Sequence, residues 1–422
     1  MSNLTSRERV RLALNHQEPD RVPVDLGAAR ITGISAIAYR NLLNHLGLKE
    51  DVRVYDIKQQ LAVVSPQVVN LLGADVLPLH RLGPTTGMPF LEIDRWKPSR
   101  MTDGSPCLVP EALEEVVTES GEIRVVHNGE VFARRSRESL YYDVCWTPLA
   151  QAETTADIDR FVWPDPWSER EENYLRQQIK ELYHGTDKAL FAGLSNLVGS
   201  SFEMSLVLFG FENFMMLLAA DRDLAEYWLD YKLDHDFKIL EKFLAIAGPY
   251  IEGIQMNDDF GAQNALQISP KLYREVFKPR HRKWTEFVKA RTHAKIFIHC
   301  DGAIDEILPD FIEAGIEVLN PIQTSAKGMD PAYIKKKYGK NLAFWGGAVD
   351  TQTTLPFGTI DDVRREARER ISILGEDGGF VFATIHNIQA DIPPEKILAV
   401  FNTAAEFGKY PLKKFHPATV PA

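Results

Sequence analysis

The sequence predicts a (β/α)₈ TIM barrel with a β-rich insertion after the second strand. Two observations carry this prediction: eight short apolar segments recur along the 422 residues, and a helix-length stretch follows nearly every one. Almost all of the segments end in polar residues, and barrel enzymes place their catalytic residues at strand ends, so an enzyme is the leading interpretation. The predicted strands are Val22–Leu26, Asp75–Leu79, Ala189–Leu194, Ile251–Asn257, Lys295–His299, Ile316–Asn320, Leu342–Trp345 and Phe380–Ile385.

The helix starts follow from capping chemistry. Thr5–His16 has the pattern of an amphipathic helix, with Thr5 or Ser6 as its N-cap. The pairs Ser65-Pro66 and Ser269-Pro270 each combine an N-cap serine with a proline in the first turn. These signals predict one helix before the first strand and others that alternate with the strands.

The segment Phe90–Ala150 interrupts the β–α pattern. It is rich in β-forming residues, and its turn signals predict an antiparallel meander of Val116–Thr118, Ile123–His127 and Val131–Arg135. We expect this meander to lie over or beside the barrel mouth, as an insertion within a single domain that spans residues 1–422.

Composition narrows the function classes. The formal net charge of −11 argues against a nucleic-acid or anionic-membrane partner, since both require clustered Lys and Arg. The three cysteines (Cys107, Cys145 and Cys300) do not suggest a disulfide framework, and no apolar run reaches about 18 residues. We therefore expect a cytoplasmic protein, with its oligomeric state left open.

The fifth predicted strand ends in imidazole, thiol and carboxylate groups. His299, Cys300 and Asp301 are all residue types that bind Zn²⁺. Side chains alternate along a strand, so His299 and Asp301 should share one side while Cys300 faces the other. The alternative is a hydrogen-bonded His–Asp pair that only holds the turn.

The eighth strand ends in a second histidine. His386 would converge with His299 over the barrel axis, which favours a metal site or an acid–base pair; the alternative is a histidine that caps the following loop. The fourth strand ends in Asn257-Asp258-Asp259, and paired carboxylates bind metals, hold substrates or act as acid and base. One of the two is also a candidate cap for the next helix.

Other polar residues at strand ends are candidate substrate-binding groups. Glu203, after the third strand, is either a surface charge on a helix or a residue of the mouth; the surface is favoured, and Glu203 is left outside this set. The predicted substrate-binding residues are His80, Arg81, Asn257, Asp258, Gln263, Asn320, Gln323 and Asn387.

Together these motifs resemble the uroporphyrinogen decarboxylase superfamily, and within it the methyltransferase-like branch. The resemblance covers most of the chain and implies a (β/α)₈ barrel. It rests on Pro19-Asp20-Arg21-Val22-Pro23, Asn257-Asp258-Asp259-Phe260-Gly261, His299-Cys300-Asp301-Gly302, Asn320-Pro321-Ile322-Gln323, Phe344-Trp345-Gly346-Gly347 and His386-Asn387-Ile388-Gln389.

Two loops depart from the decarboxylases of that family. Gly27-Ala28-Ala29-Arg30 stands where they carry Met-Arg-Gln-Ala-Gly-Arg, and Leu79-His80-Arg81-Leu82 stands where they carry Phe-Ser-Asp-Ile. The resemblance thus argues against uroporphyrinogen as the substrate. A decarboxylase or lyase for a smaller carboxylate, anchored by Arg30 or Arg81, remains the alternative, and a non-catalytic binding protein is a third.

The methyltransferase branch implies a zinc site and a corrinoid partner. Its zinc-thiolate members carry His-x-Cys-Gly and a later Cys, where this chain has Asp301 and His386. A His299–Asp301–His386 set would hold Zn²⁺ as a harder site that suits oxygen leaving groups, or would act without metal as acid and base. The chain lacks an Asp-x-His-x-x-Gly motif, so the corrinoid would come on a separate protein. The resemblance implies an O-demethylase-type methyltransferase with His299, Asp301, His386 and Asp259 as its catalytic residues.

Overall fold

A computed structural model describes residues 4–164, 167–194 and 198–415. Short turns of 3₁₀ helix cover Arg30–Thr32 and Asp305–Ile307, and a π-helical turn covers Tyr273–Phe277. The strands are β1 (Val54–Asp56), β2 (Leu61–Ala62), β3 (Val76–Pro78), β4 (Trp96–Arg100), β5 (Pro106–Pro110), β6 (Glu115–Val117), β7 (Ile123–His127), β8 (Glu130–Arg135), β9 (Asp143–Val144), β10 (Ala189–Ala192), β11 (Gly253–Asn257), β12 (Lys295–His299), β13 (Val318–Asn320), β14 (Ala343–Trp345) and β15 (Phe380–Val381). The helices are α1 (Ser6–Leu14), α2 (Ala36–His45), α3 (Pro66–Leu71), α4 (Thr155–Asp159), α5 (Glu169–Leu182), α6 (Phe202–Phe209), α7 (Phe211–Ala220), α8 (Arg222–Ala247), α9 (Pro270–Leu272), α10 (Lys278–Lys289), α11 (Leu308–Glu313), α12 (Pro331–Tyr338), α13 (Thr354–Phe357), α14 (Ile360–Leu374) and α15 (Pro394–Phe407).

Seven parallel strands form one curled sheet in the order β3-β10-β11-β12-β13-β14-β15. Each strand pairs with its neighbour in chain order among these seven, and helices connect them, which gives a TIM-barrel-like α/β fold. In the register of β11, β12 and β13, Asn257, His299 and Asn320 lie side by side. The last residues of three adjacent strands therefore meet at one end of the sheet.

One of the eight predicted strands, Val22–Leu26, does not form a regular strand. The segment still lies between β15 and β3, because Asp25 N donates to Phe382 O (2.9 Å) and Asp75 N donates to Val24 O (2.7 Å). Pro23 has no N–H to donate, so a regular ladder cannot continue through this segment. The prediction of eight strands is thus corrected to seven strands and a strand-like segment that joins the two edge strands.

A buried carboxylate holds that segment in place. Asp75, which is fully buried, accepts from Val24 N (2.9 Å) and forms ion pairs with Arg9 and Arg21, each at 2.7 Å. Arg9 also pairs with Asp20 at 2.6 Å. These charge-assisted bonds satisfy a carboxylate that would be costly to bury alone.

The predicted helix starts are confirmed. Thr5 caps α1 in a capping box with Glu8, and Ser65 and Ser269 cap helices whose first residue is proline. Helix α1 packs against β3, β10 and β15 where these strands begin, at the end of the barrel opposite their carboxyl-terminal ends.

Aromatic rings fill the barrel interior. Phe191, Phe297 and Trp345 point inward from β10, β12 and β14, and their ring centroids lie 4.9–5.6 Å apart. Because side chains alternate along a strand, His299 also points inward, two residues beyond Phe297. The packed interior thus forms the floor beneath the strand ends.

Six strands, β4–β9, lie between β3 and β10. β4 and β5 form an antiparallel pair, and β6–β9 form a four-stranded antiparallel sheet. Tyr141 lies between β8 and β9 and reaches the strand ends of the barrel, where it hydrogen-bonds to Asn387. This part of the chain therefore contributes directly to the barrel mouth.

Over residues 4–164, 167–194 and 198–415, no single helix is both long and apolar enough to cross a membrane. Helices α6 and α7 together reach the length and composition, but they meet at a bend of 112°.

Candidate functional site at the barrel mouth

Asn320 fixes the proton position on His299. The Asn320 amide nitrogen donates to the Trp345 carbonyl (2.7 Å), which can only accept, so the amide oxygen faces Nδ1 of His299 at 2.7 Å. His299 Nδ1 must therefore carry the proton and donate. In the neutral ring this leaves Nε2, with its lone pair, as the nitrogen that a metal or a substrate would meet.

His386 is held in the same way. The Asn387 amide nitrogen donates to Gln59 Oε1 (3.1 Å), so Asn387 Oδ1 accepts from His386 Nδ1 (3.0 Å) and from the Tyr141 hydroxyl (3.0 Å). Gln389 donates to both Asn387 Oδ1 and the Tyr141 hydroxyl. His386 therefore also keeps its Nε2 lone pair, and burial lowers its pKa, which favours the neutral ring.

Both histidines converge with Asp301. His299 Nε2 lies 3.6 Å from Asp301 Oδ2, and the two imidazole centroids are 5.9 Å apart. One ligand atom from each of His299, Asp301 and His386 lies within 4.8 Å of the others. Ligands of a tetrahedral zinc ion are about 3.3 Å apart, given a Zn–N bond of roughly 2.0–2.1 Å, so the ligand atoms would have to approach one another by up to about 1.5 Å. The donor set and the fixed tautomers thus fit a Zn²⁺ ion.

Cys300 faces away from this group, as alternation predicts. Its sulfur is buried among apolar side chains and accepts from Phe260 N at 3.3 Å. Burial raises the pKa of the Cys300 thiol well above its usual range, so the thiol stays protonated. It is not a candidate metal ligand in this position.

Asp259 lies at the edge of the histidine–carboxylate group. Its Oδ1 accepts from Asp301 N (2.7 Å) and lies 3.9 Å from His299 Nε2. Burial raises its pKa, and the nearby Asp301 charge adds to the effect while His299 opposes it. Asp259 therefore points into the mouth and holds the backbone that carries Asp301.

A cavity of about 480 Å³ opens beside Asp301 and His386. Gln323 lies in its wall, where it accepts from Gly302 N (2.8 Å) and donates to Gln263 (3.1 Å). Among the described lining residues there is no Lys or Arg. A larger, more open groove of about 820 Å³ shares only Asp350 with this cavity and contains neither histidine. The cavity is lined by Tyr141, Gly261, Ala262, Gln263, Asp301, Gly302, Gln323, Ser325, Asp350, Thr351, Gln352, Ile385, His386, Asn387 and Gln389.

The cavity wall requires glycine where two loops touch. Gly302 has a φ of +92°, and a Cβ on it would lie 2.5 Å from the carbonyl carbon of Gly261. No larger residue fits that approach without moving the backbone. The loops after β11 and β12 are therefore held in direct contact next to Asp301.

Asp258 does not face the mouth. It is fully buried behind β11, where it accepts from the N–H groups of Ser201, Phe202 and Glu203 and from the Ser200 hydroxyl. It also binds Nε2 of His281 at 2.9 Å. Its lone pairs are taken, so we revise its assignment from substrate binding to anchoring the start of α6. The helix that it caps precedes it in the chain.

Arg81 and His80 are also placed apart from the cavity. Arg81 forms a buried bidentate pair with Glu171 (2.6 and 2.8 Å), which neutralises it. Burial lowers the pKa of His80 to about 4, and its ring packs against Tyr55. Asn320 is likewise fully buried and bonded at both amide atoms. We revise all three assignments, because none of them lines the cavity, and Asn320 positions His299 instead.

Glu203 takes the position at the mouth that the sequence had left as the less favoured alternative. Its carboxylate accepts from Asn257 Nδ2, so it faces the strand ends and is not the surface charge that the helix pattern indicated. Its pKa responds to the charges of Asp259, Lys58 and Arg30, which places all three near it. Residues from β11, α6 and the loops after Gly27 and Asp56 thus form a second polar flank of the mouth. The apolar pattern of α6 gave no signal for this.

The comparisons with known proteins agree with this architecture. The family model for uroporphyrinogen decarboxylase (URO-D) matches residues 148–407, more than half of the chain, and the protein belongs to this family. A search of curated proteins finds no match. Among solved structures, a methyltransferase from Methanosarcina mazei is similar over 96% of this chain and 99% of its own, with a TM-score of 0.59 and 17% identity. At that identity the likeness shows a shared fold.

Proposed function

We propose that this protein is a methyltransferase that moves a methyl group from a small O- or N-methylated substrate to a corrinoid carried by a separate protein. The observation that carries the proposal is the convergence of His299, His386 and Asp301 beside the cavity of about 480 Å³. Membership of the uroporphyrinogen decarboxylase family and the fold shared with a methyltransferase support it.

The residues that would hold a zinc ion are His299, Asp301 and His386. When bound, Zn²⁺ would supply Lewis acidity at the atom that leaves from the methyl group. Asn320 and Asn387 keep both imidazoles in the tautomer that offers Nε2, and Asp259 fixes the backbone of Asp301. Nitrogen and oxygen donors form a harder site than the thiolates of zinc-thiol enzymes, which favours oxygen or nitrogen leaving groups over sulfur.

The cavity lining favours a neutral or cationic substrate. Its charged groups are the carboxylates of Asp301 and Asp350, and no cationic side chain lies among its described lining residues. A substrate with several carboxylates would meet like charge there, at a cost of desolvation without a partner. The neutralisation of Arg81 by Glu171 removes one proposed anchor for such a substrate, and the decarboxylase alternative loses support.

The test is methyl transfer with purified components. The protein is incubated with free cob(I)alamin and a panel of methoxylated aromatics and N-methylated amines, and the loss of cob(I)alamin absorbance is followed together with the demethylated product. We expect turnover by the wild type and a large loss of activity in His386→Ala. The control His45→Ala, which changes an exposed histidine on α2, should keep the wild-type activity.

Two results would contradict the proposal. One is a folded wild-type protein that transfers no methyl group across the whole panel. The other is release of carbon dioxide from a candidate acid, which would restore the decarboxylase alternative.

A further inference from the structure

The start of α6 is tied to the end of β11. Asp258 accepts from the N–H groups of Ser201 (3.0 Å), Phe202 (2.7 Å) and Glu203 (3.1 Å). It also accepts from the Ser200 hydroxyl and from Nε2 of His281. Five donors on one buried carboxylate hold this first turn rigidly. The position of the Glu203 backbone is therefore set by the strand that carries Asn257 and Asp259.

The Glu203 side chain turns toward the barrel mouth. Gln255 donates to Asn257 Oδ1 (3.2 Å), which leaves Asn257 Nδ2 to donate to the Glu203 carboxyl group. Asn257 lies directly beside His299 in the β11–β12 register. The carboxyl group of Glu203 is thus held against Asn257, the residue that neighbours His299 in the sheet.

The groups around Glu203 favour its neutral form. Burial is the largest influence and raises the pKa of Glu203 well above its usual range, and the nearby Asp259 raises it further. Lys58 and Arg30 oppose this, and Asp258 adds a smaller upward push. The net effect favours the protonated form of Glu203, whose carboxyl oxygen accepts from Asn257 Nδ2.

We propose that Glu203 is the proton donor to the leaving atom of the methylated substrate. This inference rests on the proposed methyl transfer and names the residue that completes it. The electron pair of the reduced corrinoid forms a bond to the methyl carbon while the carbon–oxygen bond breaks, and its electron pair stays on oxygen. The O–H bond of Glu203 breaks, and its proton passes to that oxygen. The Glu203 carboxylate that results keeps the Asn257 hydrogen bond and lies near Lys58 and Arg30.

The test compares Glu203→Gln with the wild type on substrates that differ in their need for a proton. Methoxybenzene releases a poor leaving group, whereas 4-nitromethoxybenzene releases a stabilised phenolate that leaves without protonation. General acid catalysis contributes about 10²–10⁴-fold, so Glu203→Gln should lose about that much on methoxybenzene and less than about tenfold on the nitro compound. A merely structural role would lower both rates equally.

Two controls separate folding from chemistry. Glu212→Gln makes the same change at an exposed position of α7 and should leave both rates unchanged. Urea unfolding of Glu203→Gln checks that the fold is intact. Infrared difference spectra at pH 7 should show the carbonyl stretch of a protonated carboxyl group in the wild type that Glu203→Gln lacks.

The outcomes distinguish this inference from the proposed function. Equal losses on both ethers, or no protonated carboxyl band assigned to Glu203, overturn the inference and leave methyl transfer standing. The inference is also overturned, with methyl transfer left standing, if the wild type accepts only quaternary ammonium donors, because their leaving amine needs no protonation. A wild type that transfers no methyl group at all overturns both.

Discussion

Replacing Asn320 tests how the site holds its histidine. Asn320→Leu keeps the volume of the side chain but removes the acceptor for His299 Nδ1 and the donor to the Trp345 carbonyl, both at 2.7 Å. Each buried group left without a partner costs about 1–3 kcal/mol, so we expect a loss of about 2–6 kcal/mol in the free energy of unfolding. His299 also loses the bond that fixes its tautomer, and loss of such a bond typically weakens metal binding by about 10–100-fold.

Two assays measure these effects. Urea unfolding gives the change in stability, and zinc titration of the folded protein gives the change in affinity. Asn341→Leu, the same substitution at an exposed position, should change stability by less than about 0.5 kcal/mol and leave zinc affinity unchanged. The reasoning is refuted if Asn320→Leu binds zinc as tightly as the wild type.

Three further predictions concern two buried charged residues and one hydrogen bond at the mouth. Arg81→Met should destabilise the protein by about 3–5 kcal/mol because it leaves Glu171 buried without its partner, and adding Glu171→Leu should recover much of that loss in urea unfolding. Tyr141→Phe should lower methyl transfer by about tenfold, since it removes a hydrogen bond that holds the partner of His386, while the unfolding free energy falls by less than about 1.5 kcal/mol. Burial raises the pKa of Asp25 from 3.8 to about 6, so the folded state binds its proton more tightly than the unfolded state does. Stability should therefore fall by about 3 kcal/mol as the pH rises from about 4 to above 6, and Asp25→Asn should lack this fall; equal pH profiles would contradict the assignment.

The alternation of side chains along strands explains much of the site. It also explains the positions of Asp258 and Arg81, which the sequence argument had assigned to the mouth. Applied to β12, it correctly put His299 and Asp301 on one side and Cys300 on the other. The same period of two, continued past Asn257, places Asp258 outside the barrel wall and Asp259 inside it. Strand alternation alone would therefore have predicted that Asp258 faces away from the mouth, and the same rule applied beyond β3 would have predicted this for Arg81.

Other features depend on contacts between distant parts of the chain. Val22–Leu26 has the composition of a strand, but Pro23 and the bonds from Asp75 decide its form. Glu203 turns toward the mouth because Asn257, 54 residues later, donates to it. Tyr141 reaches Asn387 across 246 residues. No local pattern encodes such pairings, so periodicity and capping signals alone could not have predicted them.

The most direct test of the account is a crystal structure of the protein with zinc, together with the metal content of wild-type protein and of His299→Ala. The account predicts one zinc ion at the mouth, bound by Nε2 of His299 and of His386 at roughly 2.0–2.1 Å and by the Asp301 carboxylate, with stoichiometric metal lost in His299→Ala. A wild type without metal, or an ion more than about 3 Å from either histidine, would contradict it and leave the two imidazoles as a metal-free acid–base pair.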